Sequence, residues 1–269
     1  MRKGSSMSDL INDWRLICLE IRNGFRNMAL DEAILTQVIK GKSPNTIRFY
    51  KWEPSTVSIG RHQSLSAEVD MKTLNQFKFN VVRRITGGGA VFHDSIREIT
   101  YSIVSPIKFL KELNAHSVLE QFELIENGIV NGLIDYGLEA EKGVIHCPAI
   151  FLDGKKFSGN AQLRKRNYIL QHGTILLEID PELMYSVLKA PYNVSKSRMV
   201  KSVYAKCVGI KEKLENYKEK DFIESLCNGF EKTLQIKLCK GNYTQEELDL
   251  AEKLEKEKYS NQKWLKKYE

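Results

Sequence analysis

Three consecutive glycines, Gly87-Gly88-Gly89, sit between two β-prone runs, Val81-Val82 and Ala90-Val91-Phe92. Glycine loses more backbone entropy on folding than any other residue. A run of this kind between strands therefore implies positive φ angles or close approach of another group to the backbone. Arg83 and Arg84 precede the glycines, and His93 and Asp94 follow them. Two readings stand side by side: a flexible hairpin turn, or a loop whose N–H groups and neighbouring cations face an anion. Neither GxGxxG nor GxxxxGK[ST] occurs, so no nucleotide fingerprint decides between them.

The chain of 269 residues suits one large domain, with or without an appendage. It contains no run of eighteen apolar residues, and its start, Met1 to Met7, lacks the apolar stretch of a signal peptide, which fits a cytoplasmic protein. The five cysteines include no CxxC pair, which argues against a disulfide framework and a zinc knuckle. The net charge of +7 is compatible with an acidic protein partner or with a solvated surface. Basic stripes with interleaved stacking aromatics are missing, so charge alone does not choose between nucleic acid and an acidic protein; the expected partners include neither nucleic acid nor a membrane.

Residues 14 to 21 read as a first strand and Asn27 as the N-cap of an amphipathic helix bearing Leu30, Ala33, Ile34 and Val38. Asp31 and Glu32 fall near the positive end of that helix dipole. Short strands follow at Ile47–Trp52 and Thr56–Ile59, then a short helix over Val69–Phe77, and a strand over Glu98–Val104 that stops before Pro106. Ser117 and Glu120 have capping-box spacing at the head of the longest helix. Asp153-Gly154 makes a two-residue hairpin turn inside a strand-rich stretch, 148 to 179, that fits a second sheet. Pro181 opens a short helix, and Ser195 to Arg198 has no assigned element. Helices from about Asp221 to Leu234 and from Thr244 onward, the latter with Glu247 as capping partner, close the chain.

Lys156 is flanked by small residues, Gly154 on one side and Ser158-Gly159-Asn160-Ala161 on the other, which let a ligand approach the backbone. An ammonium there suits the developing charge of an acyl or phosphoryl transfer. The bland reading is a surface lysine after a turn. His172, before Gly173, either donates to a substrate carbonyl or is a satisfied half-buried histidine. Neither His93 nor His172 has metal-ligand spacing, and the metal set, if any, is unknown from sequence. His146-Cys147 is the one place where imidazole and thiol adjoin, but neighbouring side chains on a strand face opposite sides.

Taken together, Arg84-Ile-Thr-Gly-Gly-Gly-Ala-Val-Phe-His-Asp94, Asn27-Met-Ala-Leu-Asp-Glu-Ala33, Gly154-Lys-Lys156-Phe-Ser-Gly-Asn-Ala161 and His172-Gly173 resemble the lipoate-protein ligase family of the biotin/lipoate ligase and octanoyltransferase superfamily. The resemblance implies an α+β fold with a mixed, largely antiparallel arrangement, a large and a smaller sheet packed with helices. It implies one catalytic domain over 14 to 269 with a helical end from 244 to 264, a flexible start over 1 to 13, and no accessory domain. The implied activity is ATP-dependent activation of lipoate to lipoyl-AMP, with ATP and Mg²⁺ as co-substrates, then transfer to a lysine of an acidic lipoyl domain of a 2-oxoacid dehydrogenase E2 subunit or glycine cleavage H protein. A separate accessory subunit is a further implied partner. Carried over, Lys156 is catalytic. Arg84, Gly87, Gly88, Gly89, Ala90, His93, Asp94, Ser158, Gly159 and His172 line the acyl-adenylate, with His93 and Asp94 beside the nucleotide.

Two departures stand against the ligase pattern. Pro148-Ala149 replaces a polar pair before the Gly-Lys-Lys turn, and the chain stops after the helix near Trp264. The rival is an octanoyltransferase acting without ATP through a cysteine thioester, with Cys147 as candidate nucleophile. At the positions where the two transferase branches carry their cysteine, this chain has Glu141-Lys142-Gly143 and Lys189 to Asn193. A non-catalytic acyl-binding adaptor is a third reading, disfavoured by the presence of Lys156 with the whole glycine loop.

Overall fold

The computed structural model describes residues 13–145 and 147–269. The expected flexible start and His146 lie outside the described residues, as does the side chain of Cys147. Eleven strands are described: β1 Asp13–Arg22, β2 Thr46–Trp52, β3 Thr56–Ile59, β4 Asn80–Arg83, β5 Val91–His93, β6 Glu98–Pro106, β7 Ala140–Ile145, β8 Cys147–Leu152, β9 Lys155–Lys165, β10 Tyr168–Leu176 and β11 Lys237–Lys240. Helices are α1 Gly24–Ile39, α2 Leu65–Glu68, α3 Met71–Gln76, α4 Ile107–Glu112, α5 Val118–Asp135, α6 Pro181–Val187, α7 Lys196–Lys206, α8 Glu219–Leu234, α9 Gln245–Leu254 and α10 Gln262–Leu265.

The large sheet runs β11-β1-β2-β6-β10-β9-β8-β7, parallel only where β1 meets β11 and β2. A smaller sheet has the order β4-β3-β5. Central strands β2 and β6 are buried on both faces yet still alternate: Ile47, Phe49, Ile99, Tyr101 and Ile103 enter the apolar core on one face, while Arg48, Glu98, Thr100 and Ser102 are buried polar residues between them. On one face Phe49, Tyr101 and Ile175 pack against Ile129 of α5 and Phe230 of α8. On the other, Tyr50, Trp52 and Leu170 meet Met28 and Ile34 of α1, and Val82 of the small sheet. Each such large apolar side chain contributes about 1.5–3 kcal/mol on burial.

The capping boxes at Ser117/Glu120 and Thr244/Glu247 form as the sequence implies, and the Asp153-Gly154 turn has φ of 49° and 71°, the geometry of a type I′ hairpin. Three expectations need correcting. The cap of α1 is Asn23, whose Oδ1 accepts the Arg26 N–H at 2.8 Å. Asn27 lies inside the first turn and donates to the Arg22 and Lys51 carbonyls, tying α1 to β2. The stretch from 148 to 179 is not a second sheet: β10 pairs along its length with β6, from Tyr168↔Pro106 to Leu176↔Glu98, and so joins β8 and β9 to the large sheet. Ser195 caps α7 through the Arg198 N–H at 3.2 Å. No described helix is long and apolar enough to cross a membrane.

Candidate active site

A cavity of about 270 Å³ opens on the large-sheet face that carries α1, where the small sheet meets it. Its floor is buried and is made by Met28, Tyr50, Trp52, Ser58, Thr100 and His172, while its rim carries Gly88, Gly89, Lys156 and Gly159. From β9 across β10 and β6 to β2 is three strand spacings, about 14 Å, so the cavity is long as well as narrow.

Two hydrogen-bonded relays build the floor. In the first, the His93 ring stacks on Trp52 at 4.0 Å, with Nε2 2.8 Å from Ser58 Oγ and Nδ1 2.7 Å from Glu98 Oε1. Trp52 donates to Thr100, which donates to the same Glu98 oxygen, both at 2.8 Å. This is the connectivity of a serine–imidazole–carboxylate set. Ser58, however, lies at the inner end of the cavity and accepts a further bond from Arg84, so a reacting carbonyl presented from the rim does not reach it.

In the second relay His172 Nδ1 is 3.2 Å from Asp31 Oδ2 and Nε2 is 2.7 Å from Thr86 Oγ1. Burial pulls the Asp31 carboxyl upward, but the hydrogen bond from His172, the Arg48 charge and the Ser102 hydroxyl outweigh it and hold the group below the usual carboxylate range. Burial pushes His172 below its ordinary value despite Asp31. A neutral ring beside an ionised carboxylate must place its proton on Nδ1. Nε2 then accepts from Thr86, whose oxygen in turn accepts from Arg84 Nε at 3.1 Å.

The glycine loop is not a hairpin turn, because β4 and β5 lie on opposite sides of β3. Arg84 clasps it from within. Nη2 donates to the Gly87 and Gly89 carbonyls, each at 2.7 Å, and Nη1 to the Ser58 carbonyl at 3.0 Å. Burial without a carboxylate partner pushes the guanidinium down to about 10. Gly88 takes φ of 88°, and its carbonyl lies where a β-carbon on Gly60 would sit, 2.0 Å away, so the loop rests on Gly60 and only glycine fits there.

Lys156 reaches along β9 over Gly159, its Nζ 3.3 Å from where a Gly159 β-carbon would stand. The segment after α7 lies beside it: Cys207 bridges Lys156 in parallel, and the Val208 N–H donates to the Lys156 carbonyl at 3.1 Å. Burial pushes the Cys207 thiol up, against the pull of Lys156 and Lys206. Behind this wall, on the sheet's other face, Asn160 donates to Glu126 and accepts from the Tyr101 hydroxyl, both at 2.7 Å. Asn160 fits because Gly173 opposes it in the ladder; a β-carbon there would lie 1.9 Å from Asn160 Oδ1.

Of the residues singled out in sequence, Arg84, Gly88, Gly89, Ala90, His93, Lys156, Gly159 and His172 converge on the cavity. Gly87, Asp94 and Ser158 are not among its lining residues. Gly87 gives its carbonyl to Arg84. Asp94 accepts the Ile96 and Arg97 N–H groups and pairs with the Arg97 guanidinium at 2.7 Å. Ser158 is opposite Ile175 on the helix-covered face. Trp52, Ser58, Thr86 and Asp31 were missed as site residues. Asp31 left a signal: a carboxylate beside Leu30, Ile34 and Val38 on the apolar side of α1 requires a buried partner, here Arg48 at 3.0 Å.

A mixed sheet with a deep cavity, a clasped glycine loop above it and a lysine on its rim defines an enzyme of the lipoate ligase and octanoyltransferase superfamily. The chain belongs to the lipoyl protein ligase A/B catalytic domain family, whose model matches residues 23–231. Among curated relatives, Octanoyltransferase LipM of Brevibacillus brevis is 36% identical over 94% of this chain and 99% of its own length. Octanoyltransferase LipM of Anoxybacillus flavithermus is 35% identical over 93% and 97%. The bipartite lipoate protein ligase of a Thermoplasma acidophilum lipoylation system, described with its E2 lipoyl domain, superimposes with a TM-score of 0.82 at 26% identity, covering 96% of this chain and 98% of its own. A lipoate-protein ligase A bound with ATP gives 0.81 at 25%, covering 96% and 100%.

The names of the sequence relatives overturn the expectation of an ATP-dependent ligase, and with it ATP and Mg²⁺ as co-substrates. His93 has both ring nitrogens engaged in the floor, and Asp94 spends its carboxylate on the following turn.

Proposed function

We propose that this protein is an octanoyltransferase that moves a medium-chain acyl group from a thioester donor to a lysine of a lipoyl acceptor domain. The observation that carries the reading is the long cavity ending at the Trp52–His93 stack with Lys156 on its rim. An extended eight-carbon chain fits that length with its carbonyl at Lys156. The names of the sequence relatives support the acyl group, and the E2 lipoyl domain of the archaeal system supports the acceptor class.

In this reading the Lys156 ammonium stabilises the oxyanion that forms when the acyl carbonyl is attacked. Gly159 gives its side chain room to reach the carbonyl. The donor thioester is attacked first by the Cys147 thiolate: a new C–S bond forms, the carrier's C–S bond breaks, and the carrier leaves as a thiolate that takes up a proton from water. The neutral amine of the acceptor lysine then attacks the enzyme thioester: the C–N bond forms, the C–S bond to Cys147 breaks, and the proton lost by the nitrogen goes to the departing Cys147 sulfur or to solvent. The backbone of Cys147 is two residues from Ala149, which pairs with Gly159 of the cavity rim. Intact-protein mass spectrometry after mixing with octanoyl carrier protein tests the first step. A hydroxylamine-labile octanoyl adduct, lost in Cys147→Ala, is expected; an unchanged adduct in that variant removes Cys147 from the mechanism.

A further inference from the structure

From Leu183 to Lys211 the chain holds no Asp or Glu, yet it carries Lys189, Lys196, Arg198, Lys201, Lys206 and Lys211. The middle of this stretch is α7, a helix with no fully buried residue. Met199, Val200 and Val203 are half-buried on its inner side, while Arg198, Lys201 and Tyr204 are exposed. Lys196 is 3.6 Å from Asp70 and Lys211 is 2.8 Å from Glu178, but among the described residues Arg198, Lys201 and Lys206 have no carboxylate within ion-pair distance. An isolated charge run on a helix is ordinarily a solvated face. This one is distinguished by its position, since its C-terminal end is bonded through Val208 to the backbone of Lys156. Tyr192, 93% exposed, stands at the other end of the patch.

We propose that the outer face of α7, centred on Arg198 and Lys201, is the docking surface for an acidic protein domain that presents the acceptor lysine. The assignment rests on the transferase reading above. A cationic face beside the reaction centre acts on such a partner twice. It attracts and orients acidic surface around the lysine, raising the association rate. Its field also disfavours the protonated form of the incoming amine, and only the neutral amine attacks a thioester. The second effect favours the acceptor over the acyl donor as occupant, because a donor thioester has no proton to lose before it reacts. Tyr192 supplies amphipathic contact at low entropic cost next to the charges, and Tyr204, whose hydroxyl donates to Glu182, offers its ring.

The test uses the full chain and the double variant Arg198→Glu/Lys201→Glu, whose side chains are exposed and whose replacement leaves the core intact. Binding of an acidic lipoyl domain is measured by fluorescence anisotropy at low salt, independently of turnover. Acyl transfer from preloaded enzyme is then measured to that domain and, in parallel, to hydroxylamine. Weakening of domain binding by about tenfold or more is expected, with a matching fall in kcat/KM for the domain and little change with hydroxylamine. Added salt should bring the native protein down to the variant's level. Binding within twofold of the native protein overturns the proposal, as does loss of loading from octanoyl carrier protein with acceptor binding intact, which gives the surface to the donor. If the native protein transfers to no amine at all the transferase reading fails, and the binding measurement still decides the docking surface.

Discussion

Gly173→Ala tests how the rear wall of the site is held. The new methyl group would lie 1.9 Å from Asn160 Oδ1 and 2.7 Å from Tyr101 Cε1, so the Asn160 amide has to move by more than an ångström. That amide is fixed at both ends, to Glu126 and to the Tyr101 hydroxyl, each at 2.7 Å. Displacing it loses two buried hydrogen bonds of about 1 kcal/mol each and adds overpacking of about 1–3 kcal/mol, together roughly 3–5 kcal/mol. For a chain of this size that is a fall in Tm of about 5–9 °C. Asn160→Ala alone should cost about 1–3 kcal/mol, because it leaves Glu126 and Tyr101 without their partner. In the double variant the clash with the amide is gone, so the two costs should fall short of their sum by more than about 1 kcal/mol in urea unfolding. Additivity within about 0.5 kcal/mol would refute the account of why glycine follows His172.

The glycine loop gives a second perturbation: Gly60→Ala places a methyl group 2.0 Å from the Gly88 carbonyl, so the loop has to move, stability in urea should fall by about 1–3 kcal/mol, and kcat/KM for the acyl donor should fall about 10²-fold as the rim shifts. Glu126, whose carboxyl burial pushes up to about 7 from 4.5, binds a proton in the folded state that the unfolded chain has released. Stability should therefore decline between pH 4.5 and 7 by about 3 kcal/mol and level off above, a slope that Glu126→Gln removes in urea titrations at stepped pH. Arg83 donates to the carbonyls of Trp264, Leu265, Gly60, Arg61 and Gln63, so Arg83→Met should destabilise by about 3 kcal/mol or more and speed proteolytic clipping at the C-terminal end.

Local chemistry was legible wherever neighbours in sequence decide it. Ser117 with Glu120, Thr244 with Glu247, and the Asp153-Gly154 turn each satisfy their hydrogen bonds within a few residues. Asn27 misled because two asparagines compete for the head of α1, and only the distant Lys51 carbonyl shows which one is drawn away from capping. The strands from 148 to 179 were recognised as strands, but a strand's pattern does not say which neighbour it pairs with, and β10 pairs with β6 across sixty residues of chain. At the site, Lys156 and His172 stood out by their small neighbours. Arg84 lines the cavity, but nothing in Arg-Ile-Thr-Gly-Gly-Gly reveals that its N–H groups turn back onto the loop carbonyls. The nearness of Cys207 to Lys156, fifty-one positions apart, left no trace in spacing.

The central claim is that the cavity and Lys156 serve transfer from a thioester without nucleotide. Its most direct measurement is the rate at which octanoyl moves from octanoyl carrier protein to an acidic lipoyl domain in the complete absence of ATP, in the native protein and in Lys156→Ala, each shown to be folded by circular dichroism. The account predicts turnover without ATP and a loss of about 10²–10³-fold in kcat on removing the ammonium. Transfer that runs unchanged in Lys156→Ala, or that does not run in the native protein, would contradict it.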